Sequence, residues 1–309
     1  MAPRTFDGRV AVVTGAGRGI GRGYARLLGR LGAHVVVNDL GSSVAGEGAD
    51  AGPAARVAAE IVEAGGQAIA DGSDVATVEG AEALIGAAVE QFGRLDILIN
   101  NAGIMRWARF PELDADSLAA HVAVHVSGSF NTARAAWPHL IDQGYGRIVM
   151  TTSAGLFGLP NNTAYATAKG GVVGLSRSLS LAGARHGIKV NLIAPAAMTR
   201  MAGPPSDTDA AEATDDTGPM SPDLVAPMVA YLAHEDCPVS GEIYAAGAGR
   251  LARIFIAATP GYVHPDPGLS VDDVAEHWDA INDEAGYTVP ANLMDWSARF
   301  LVHLPPPED

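Results

Sequence analysis

Cysteine occurs once in the 309 residues, at Cys237. A single thiol excludes an intrachain disulfide framework and fits a reducing, cytoplasmic setting. Positive charge is also scarce: 20 Lys and Arg stand against 35 Asp and Glu, a formal net charge of −15. Nucleic-acid binders carry the opposite balance, so no nucleic-acid partner is expected. No stretch reaches the roughly 20 apolar residues of a membrane span. The opening "MAPRTFDGRV" has no long apolar run before a cleavage site, so it does not read as a secretory signal. No metal site is expected. Aromatic residues are few, while Gly and Ala abound and 48% of the residues are hydrophobic. That composition suits closely packed helices on a sheet.

Apolar, β-branched runs recur with helical stretches between them. "RVAVVTG" (9–15), "HVVVND" (34–39) and "AIADGSD" ending at Asp74 read as the first three strands. "RLDILINNAG" ending at Gly103, "GRIVMTTS" ending at Ser153 and "IKVNLIAP" ending at Pro195 read as later ones. Near-continuous apolar runs suit strands covered on both faces. The Ala-rich segments between them close with Gly, a common helix stop. The alternation predicts an α/β fold with a doubly wound parallel sheet. Residues 1–249 form the expected dinucleotide-binding domain and 250–309 a C-terminal extension, with one helix near "SVDDVAEHWDAIND". Residues 199–222, rich in Pro, Asp and small residues, read as a long mobile loop over the substrate.

The first strand runs into "TGAGRGIG". There Gly15 permits a tight turn, Gly19 a close approach to a pyrophosphate, and Gly21 the packing of helix on strand. The second strand ends at Asp39, 18 residues after Gly21. A carboxylate there accepts both ribose hydroxyls of an adenosine and repels a 2′-phosphate, so NAD is expected rather than NADP. Arg18, inside the turn, is the one charge to the contrary. Asp74 is placed for an adenine amino group. "NNAG", containing Asn101, is either a purely structural cap on a strand or a cofactor contact, and in either case it lies beside the nucleotide. Finally, "YATAK" puts Tyr165 and Lys169 at i and i+4, on one helix face, where an ammonium favours a phenolate.

"TGAGRGIG", Asp39, "NNAG" and "YATAK" stand in the order and spacing of the short-chain dehydrogenases/reductases, and the resemblance extends to about Gly249. It implies a Rossmann fold, a tyrosine acid/base (Tyr165), a lysine on the nicotinamide ribose (Lys169) and a serine orienting the substrate oxygen. Counted from "GRIVM", that serine is Ser153; counted back from Tyr165, the position falls on Thr152. Ser153 is expected, because a loop absorbs a deletion more readily than a buried strand. Ile20, Val75, Ala102, Gly103, Pro195, Met198 and Thr199 complete the cofactor set implied. Most members carry Asn where this chain has His125, and a histidine there either holds the proton-relay water or fills the space. The loop after Pro195 has Ala196 in place of the usual Gly.

Stretches such as "VVVNDLG", "FNTARAAWPHL" and "GEIYAAGAG" narrow the resemblance to the (3R)-hydroxyacyl-CoA dehydrogenase domains of peroxisomal multifunctional enzymes. This implies an acyl-CoA substrate, or else a steroid or other secondary alcohol, and a homodimer or homotetramer. A 3-oxoacyl carrier-protein reductase is disfavoured by Asp39, and a nucleotide-bound scaffold by the intact Tyr165 and Lys169. Arg106 and Arg109 either meet CoA phosphates or are solvated surface charges. Leu156, Phe157 and Leu159 are apolar enough to line a hydrophobic substrate wall.

Overall fold

In the computed structural model of the chain, residues 4–201, 218–265 and 268–304 are described. The apolar runs become strands because both of their faces are covered. Val10–Thr14 (β1) and Ile97–Asn100 (β4) are buried at every position, as a parallel sheet sandwiched by helices requires. With His34–Asn38 (β2), Gln67–Asp71 (β3), Gly146–Thr151 (β5), Ile188–Pro195 (β6), Ile243–Gly247 (β7) and Arg250–Ile254 (β8), they form one sheet of order β3-β2-β1-β4-β5-β6-β7-β8. All pairings from β3 across to β7 are parallel. Val12 lies opposite Val36 on one side and Leu98 on the other. The order reverses between β1 and β4, the crevice where open α/β sheets take their ligands. The doubly wound Rossmann fold is therefore present.

β3 stops at Asp71 rather than running to Asp74. The Asp71 carboxylate accepts a hydrogen bond from the Ser73 amide at 2.9 Å, turning the chain out of the sheet. β8 has no counterpart in the sequence reading.

The helices are Gly19–Arg30 (α1), Gly52–Glu63 (α2), Val78–Phe92 (α3), Ala115–His121 (α4), Gly128–Gln143 (α5), Thr163–Gly183 (α6) and Ala226–Ala233 (α7). α1 and α2 approach so closely that a Cβ on Gly29 would stand 2.6 Å from a methyl of Ile61. α3 starts where the Thr77 hydroxyl accepts the Gly80 amide, and it ends at Gly93 with φ +78°, a left-handed stop that only glycine adopts cheaply. At the amino-terminal edge of the sheet, the buried Asp96 carboxylate accepts from Arg9, Arg94 and the Val10 amide. It is thus a paired buried charge.

The chain divides into two compact units, Met1–Arg253 and Ile254–Asp309. In the second, Val271–Glu276, Trp278–Asn282 and Leu293–Phe300 are helical, and no residue of these helices is buried. The expected loop 199–222 lies largely outside the described residues; its flanks form short 3₁₀ turns at Gly218–Met220 and Pro222–Leu224. Among the described residues, no helix is long and apolar enough to cross a membrane.

Among the described residues, several buried polar atoms lack a partner, and one of them belongs to a large core side chain. The Tyr24 ring is 1% exposed, and its hydroxyl has no hydrogen-bond partner. Burying an unsatisfied hydroxyl costs about 1–3 kcal/mol. Tyr24→Phe is therefore expected to leave stability unchanged or raise it by up to about that amount. A denaturant midpoint lowered by more than about 1 kcal/mol equivalent would show that the hydroxyl is satisfied after all.

Candidate active site

The groove at the carboxyl ends of β1, β2 and β4 is built by steric necessity. Gly15 has φ +62°, and a Cβ there would come within 2.8 Å of the Ala102 Cα. A Cβ on Gly21 would land on the Gly15 carbonyl oxygen and 2.5 Å from the Asn101 amide nitrogen. Asn101 uses that amide group to donate to the Thr14 and Gly15 carbonyls, both at 3.0 Å. The Thr14 hydroxyl in turn accepts the Asn101 and Ala102 amides at 3.0 Å. "NNAG" is thus a clasp that holds the glycine turn.

Asp39 is pinned from two sides, accepting the Gly17 amide at 2.8 Å and the Gly41 amide at 2.7 Å. Gly15, Arg18, Gly19, Ile20, Gly21, Asp39, Asp74, Val75, Asn101, Ala102, Gly103 and Thr199 all line this groove. Pro195, at the end of β6, and Met198 do not. Among the described residues, no group of side chains is arranged to hold a metal.

The second half of the site is carried by α6 and the strand beside it. Asn162 caps α6 by accepting the Tyr165 amide at 3.0 Å, and it donates to the Arg106 carbonyl at 2.7 Å. It thereby fixes the start of the helix that carries Tyr165 to the loop after β4. The Tyr165 ring packs edge-on against two parallel imidazoles, His125 at 5.4 Å and His121 at 6.3 Å between centroids. The Ser153 hydroxyl accepts the Gly155 amide at 3.0 Å. It is also the polar group that acts on the Tyr165 phenol, lowering its pKa. Thr152 is fully buried, with its hydroxyl donated to the Lys169 carbonyl at 2.8 Å. Of the two hydroxyls, Ser153 is the one beside Tyr165.

Burial dominates the protonation of the pair. It raises the Tyr165 pKa, and the Ser153 hydroxyl opposes this. It lowers Lys169 from 10.5 to about 7. The Lys169 ammonium donates to the Thr151 carbonyl at 2.8 Å and lies 5.6 Å from the Tyr165 ring centroid. Burial therefore outweighs the expected i, i+4 effect of Lys169 on Tyr165. The spacing reveals that the two share a face, but not how dry that face is.

His125 sits in a π-helical turn, Val122–Ser127, between α4 and α5, a widening that recurs at functional sites. Its Nε2 lies 3.2 Å from the Ile104 amide nitrogen and 3.0 Å from the Ile104 carbonyl oxygen. Its Nδ1 is buried with no partner. The ring fills the space in front of Gly103, where a Cβ would stand 2.6 Å from Cε1. Burial, and then the Lys169 charge, hold His125 well below the ordinary imidazole pKa, hence neutral. His121 is satisfied at both nitrogens, by the Ser117 carbonyl and the Arg106 amide. It braces the stack.

Arg106 does not read as a solvated arginine, since its Nε donates to the Ala45 carbonyl at 2.8 Å; Arg109 is exposed. The sequence reading missed His121 and Asn162, although both left a signal. One stands four residues before His125, and the other is an Asn three residues before Tyr165, a capping position.

A profile of the short chain dehydrogenases matches residues 9–209. The chain is 42% identical over 279 residues to a short-chain type dehydrogenase/reductase of Mycobacterium tuberculosis, covering 90% of this chain and 95% of the other. It is 37% identical over 297 residues to the peroxisomal multifunctional enzyme type 2 of Mus musculus, covering 95% of this chain but 39% of that enzyme. The full-length peroxisomal multifunctional enzyme type 2 of Drosophila melanogaster superposes with a TM-score of 0.78 at 32% identity, over 96% of this chain and 49% of that one. The chain thus spans less than half of these two multifunctional relatives. It belongs to the short-chain dehydrogenase/reductase family and is an oxidoreductase.

Lys169 is 3% exposed and titrates far below its ordinary value. The native state therefore binds this proton less well than the unfolded chain, and wild-type stability falls as pH drops from 10.5 toward about 7. Lys169→Met is expected to melt higher than wild type at pH 7, by an amount that shrinks as the pH approaches 10.5. A melting-temperature gap independent of pH, measured by calorimetry across that range, would contradict this.

Proposed function

We propose that the chain oxidises a (3R)-hydroxyacyl-CoA to the 3-ketoacyl-CoA, with NAD as hydride acceptor. The observation that carries this reading is the placing of Tyr165 beside Ser153 and edge-on to His125. The cluster lies beside a dinucleotide-shaped groove and next to an apolar wall in which Phe157 is 72% exposed.

The residues fit a dinucleotide. Gly15 and Gly21 pack the turn against Ala102 and Asn101, while Gly19, with φ +52°, lines the groove with no atom nearer than 3.5 Å to where a Cβ would stand; the start of α1 faces the groove, and Asp39 presents a carboxylate where a 2′-phosphate would be repelled. A bound nicotinamide supplies the site that takes hydride from the carbinol carbon. The proton steps belong to the chain. Ser153 donates to the reacting oxygen and orients it. Tyr165, as phenolate, takes the hydroxyl proton as the carbonyl forms. Lys169 positions the ribose and passes the proton onward. His125, neutral and with Nδ1 unpartnered, accepts or donates to a water beyond Lys169 without acquiring charge.

Leu156, Phe157 and Leu159 contact the acyl chain, and Arg109 meets CoA phosphates. Residues 1–249 carry the chemistry and 250–309 form an extension. The buried Cys237 thiol suits a reducing compartment such as the cytoplasm.

The test follows NADH formation with a matched set: a (3R)-hydroxyacyl-CoA, its free acid and a 17β-hydroxysteroid, each with NAD and with NADP. Turnover is expected with the CoA ester and NAD, and a loss of roughly 100-fold or more in kcat for Tyr165→Phe. Equal turnover of the free steroid would replace the acyl-CoA assignment with a steroid dehydrogenase. Preference for NADP would overturn the role of Asp39.

We also propose a homodimer or homotetramer packed through α5 and α6. There Phe130, Trp137 and Leu179 line an apolar groove of about 690 Å³, and Leu181 is exposed. Sedimentation is expected to show a dimer or larger in wild type and smaller species in Phe130→Asp. A wild-type monomer at micromolar concentration would refute the assembly.

A further inference from the structure

We propose that residues 41–50 form a strap that retains the cofactor, and that Arg106 is a positioning residue acting as its latch rather than a ligand for CoA phosphate. This rests on the reading of the groove as a dinucleotide site.

The segment leaves β2 after Asp39 and returns to α2, and its ends are tied together. The Asp50 amide donates to the Leu40 carbonyl at 2.9 Å, and the Gly41 amide donates to Asp39 at 2.7 Å. From this closed base the tip reaches the loop after β4. The Met105 amide donates to the Val44 carbonyl at 2.8 Å, and the Arg106 Nε donates to the Ala45 carbonyl at 2.8 Å. A Cβ on Gly46 would stand 2.9 Å from a methyl of Ile104.

The Ser42 carbonyl accepts from Arg18 at 3.5 Å and from Arg200 at 3.3 Å. The strap is therefore held by all three walls of the groove: the glycine turn, the loop after β4 and the loop after β6. With the strap so tied, the groove measures about 200 Å³, below the roughly 300–1,000 Å³ of small-molecule sites. A dinucleotide enters or leaves only when the strap lifts.

Arg106 is the fixed post among these ties. Its amide donates to His121 Nε2 at 3.3 Å, and its carbonyl accepts from Asn162 at 2.7 Å. The residues that support Tyr165 therefore also hold the latch in place. Its charge-assisted bond to Ala45 is partly buried, and partial burial strengthens such a bond relative to one in water. A guanidinium so engaged is directed at the strap.

The experiment measures NADH release from the loaded enzyme by stopped-flow fluorescence, chased with excess NAD, alongside steady-state KM values. Arg106→Ala is expected to release NADH roughly tenfold faster, with the acyl-CoA KM unchanged. Arg106→Lys, which keeps a donor, is expected to recover part of the retention. Gly46→Ala approaches the same contact from the strap side, pushing the tip off Ile104, and is expected to accelerate release as well. It keeps the test decisive if Arg106→Ala does not fold. Release within about twofold of wild type in the folded variants overturns the strap, and a raised acyl-CoA KM as the sole effect returns Arg106 to the substrate. Failure of wild type to bind NADH would instead strike the cofactor reading itself.

Discussion

The clasp between Thr14 and Asn101 is the constraint on which the carboxyl edge of the sheet depends. Parallel strands need no contact beyond their ladders, yet here the ends of β1 and β4 exchange four further hydrogen bonds through one hydroxyl and one amide. The clasp fixes the glycine turn from below and starts the loop after β4 at a defined point. That loop then carries Gly103 against His125 and presents the backbone of Arg106 to His121 and Asn162. The groove and α6 are thereby registered to a single point at the switch of strand order. A chain that lost the clasp would keep its sheet, held by apolar burial, while its loops lost their common origin.

The site itself is dry, and that decides its electrostatics. Tyr165 and Lys169 are both driven toward their neutral forms by burial, and His125 is neutral as well. A proton moving from neutral Tyr165 to a neutral base leaves an ion pair, which a low-dielectric interior penalises unless the charges are paired or hydrogen-bonded. The Ser153 hydroxyl is what moves Tyr165 back toward ionisation. Serine and tyrosine are therefore coupled before any substrate arrives.

What was legible in the sequence is what local spacing encodes. The glycine turn, the carboxylate after β2 and the tyrosine and lysine one turn apart are chemistry written in short stretches of chain, and the doubly wound parallel sheet follows from alternation of strand and helix. Position alone did not distinguish Ser153 from Thr152; the distinction appears only when Thr152 is seen to spend its hydroxyl on the backbone of α6. The role of Arg106 stayed open for the same reason. A guanidinium near a groove looks like a phosphate ligand until its contact with Ala45, 61 residues away, is on view. Burial of Lys169 and the end of β3 at Asp71 likewise depend on partners distant in the chain or on side-chain geometry that composition does not carry.

The π-helical turn at Val122–Ser127 has a consequence for how this chain can vary. Each residue of an α-helix advances its faces by about 100°, so the extra residue accommodated here sets the phase between α4 and α5. His121 and His125 share one stack, while Thr132 and Asn131 of α5 face β4 and the loop after β3. Removing one residue between 122 and 127 would turn one set out of alignment with the other, however conservative the remaining sequence. Substitution is a small step at this point of the chain, but insertion or deletion is not. The strap at 41–50, whose ends are tied to each other, has the opposite character: its length can drift while its base stays in register. Between these two segments the architecture separates what a lineage is free to lengthen from what it must count.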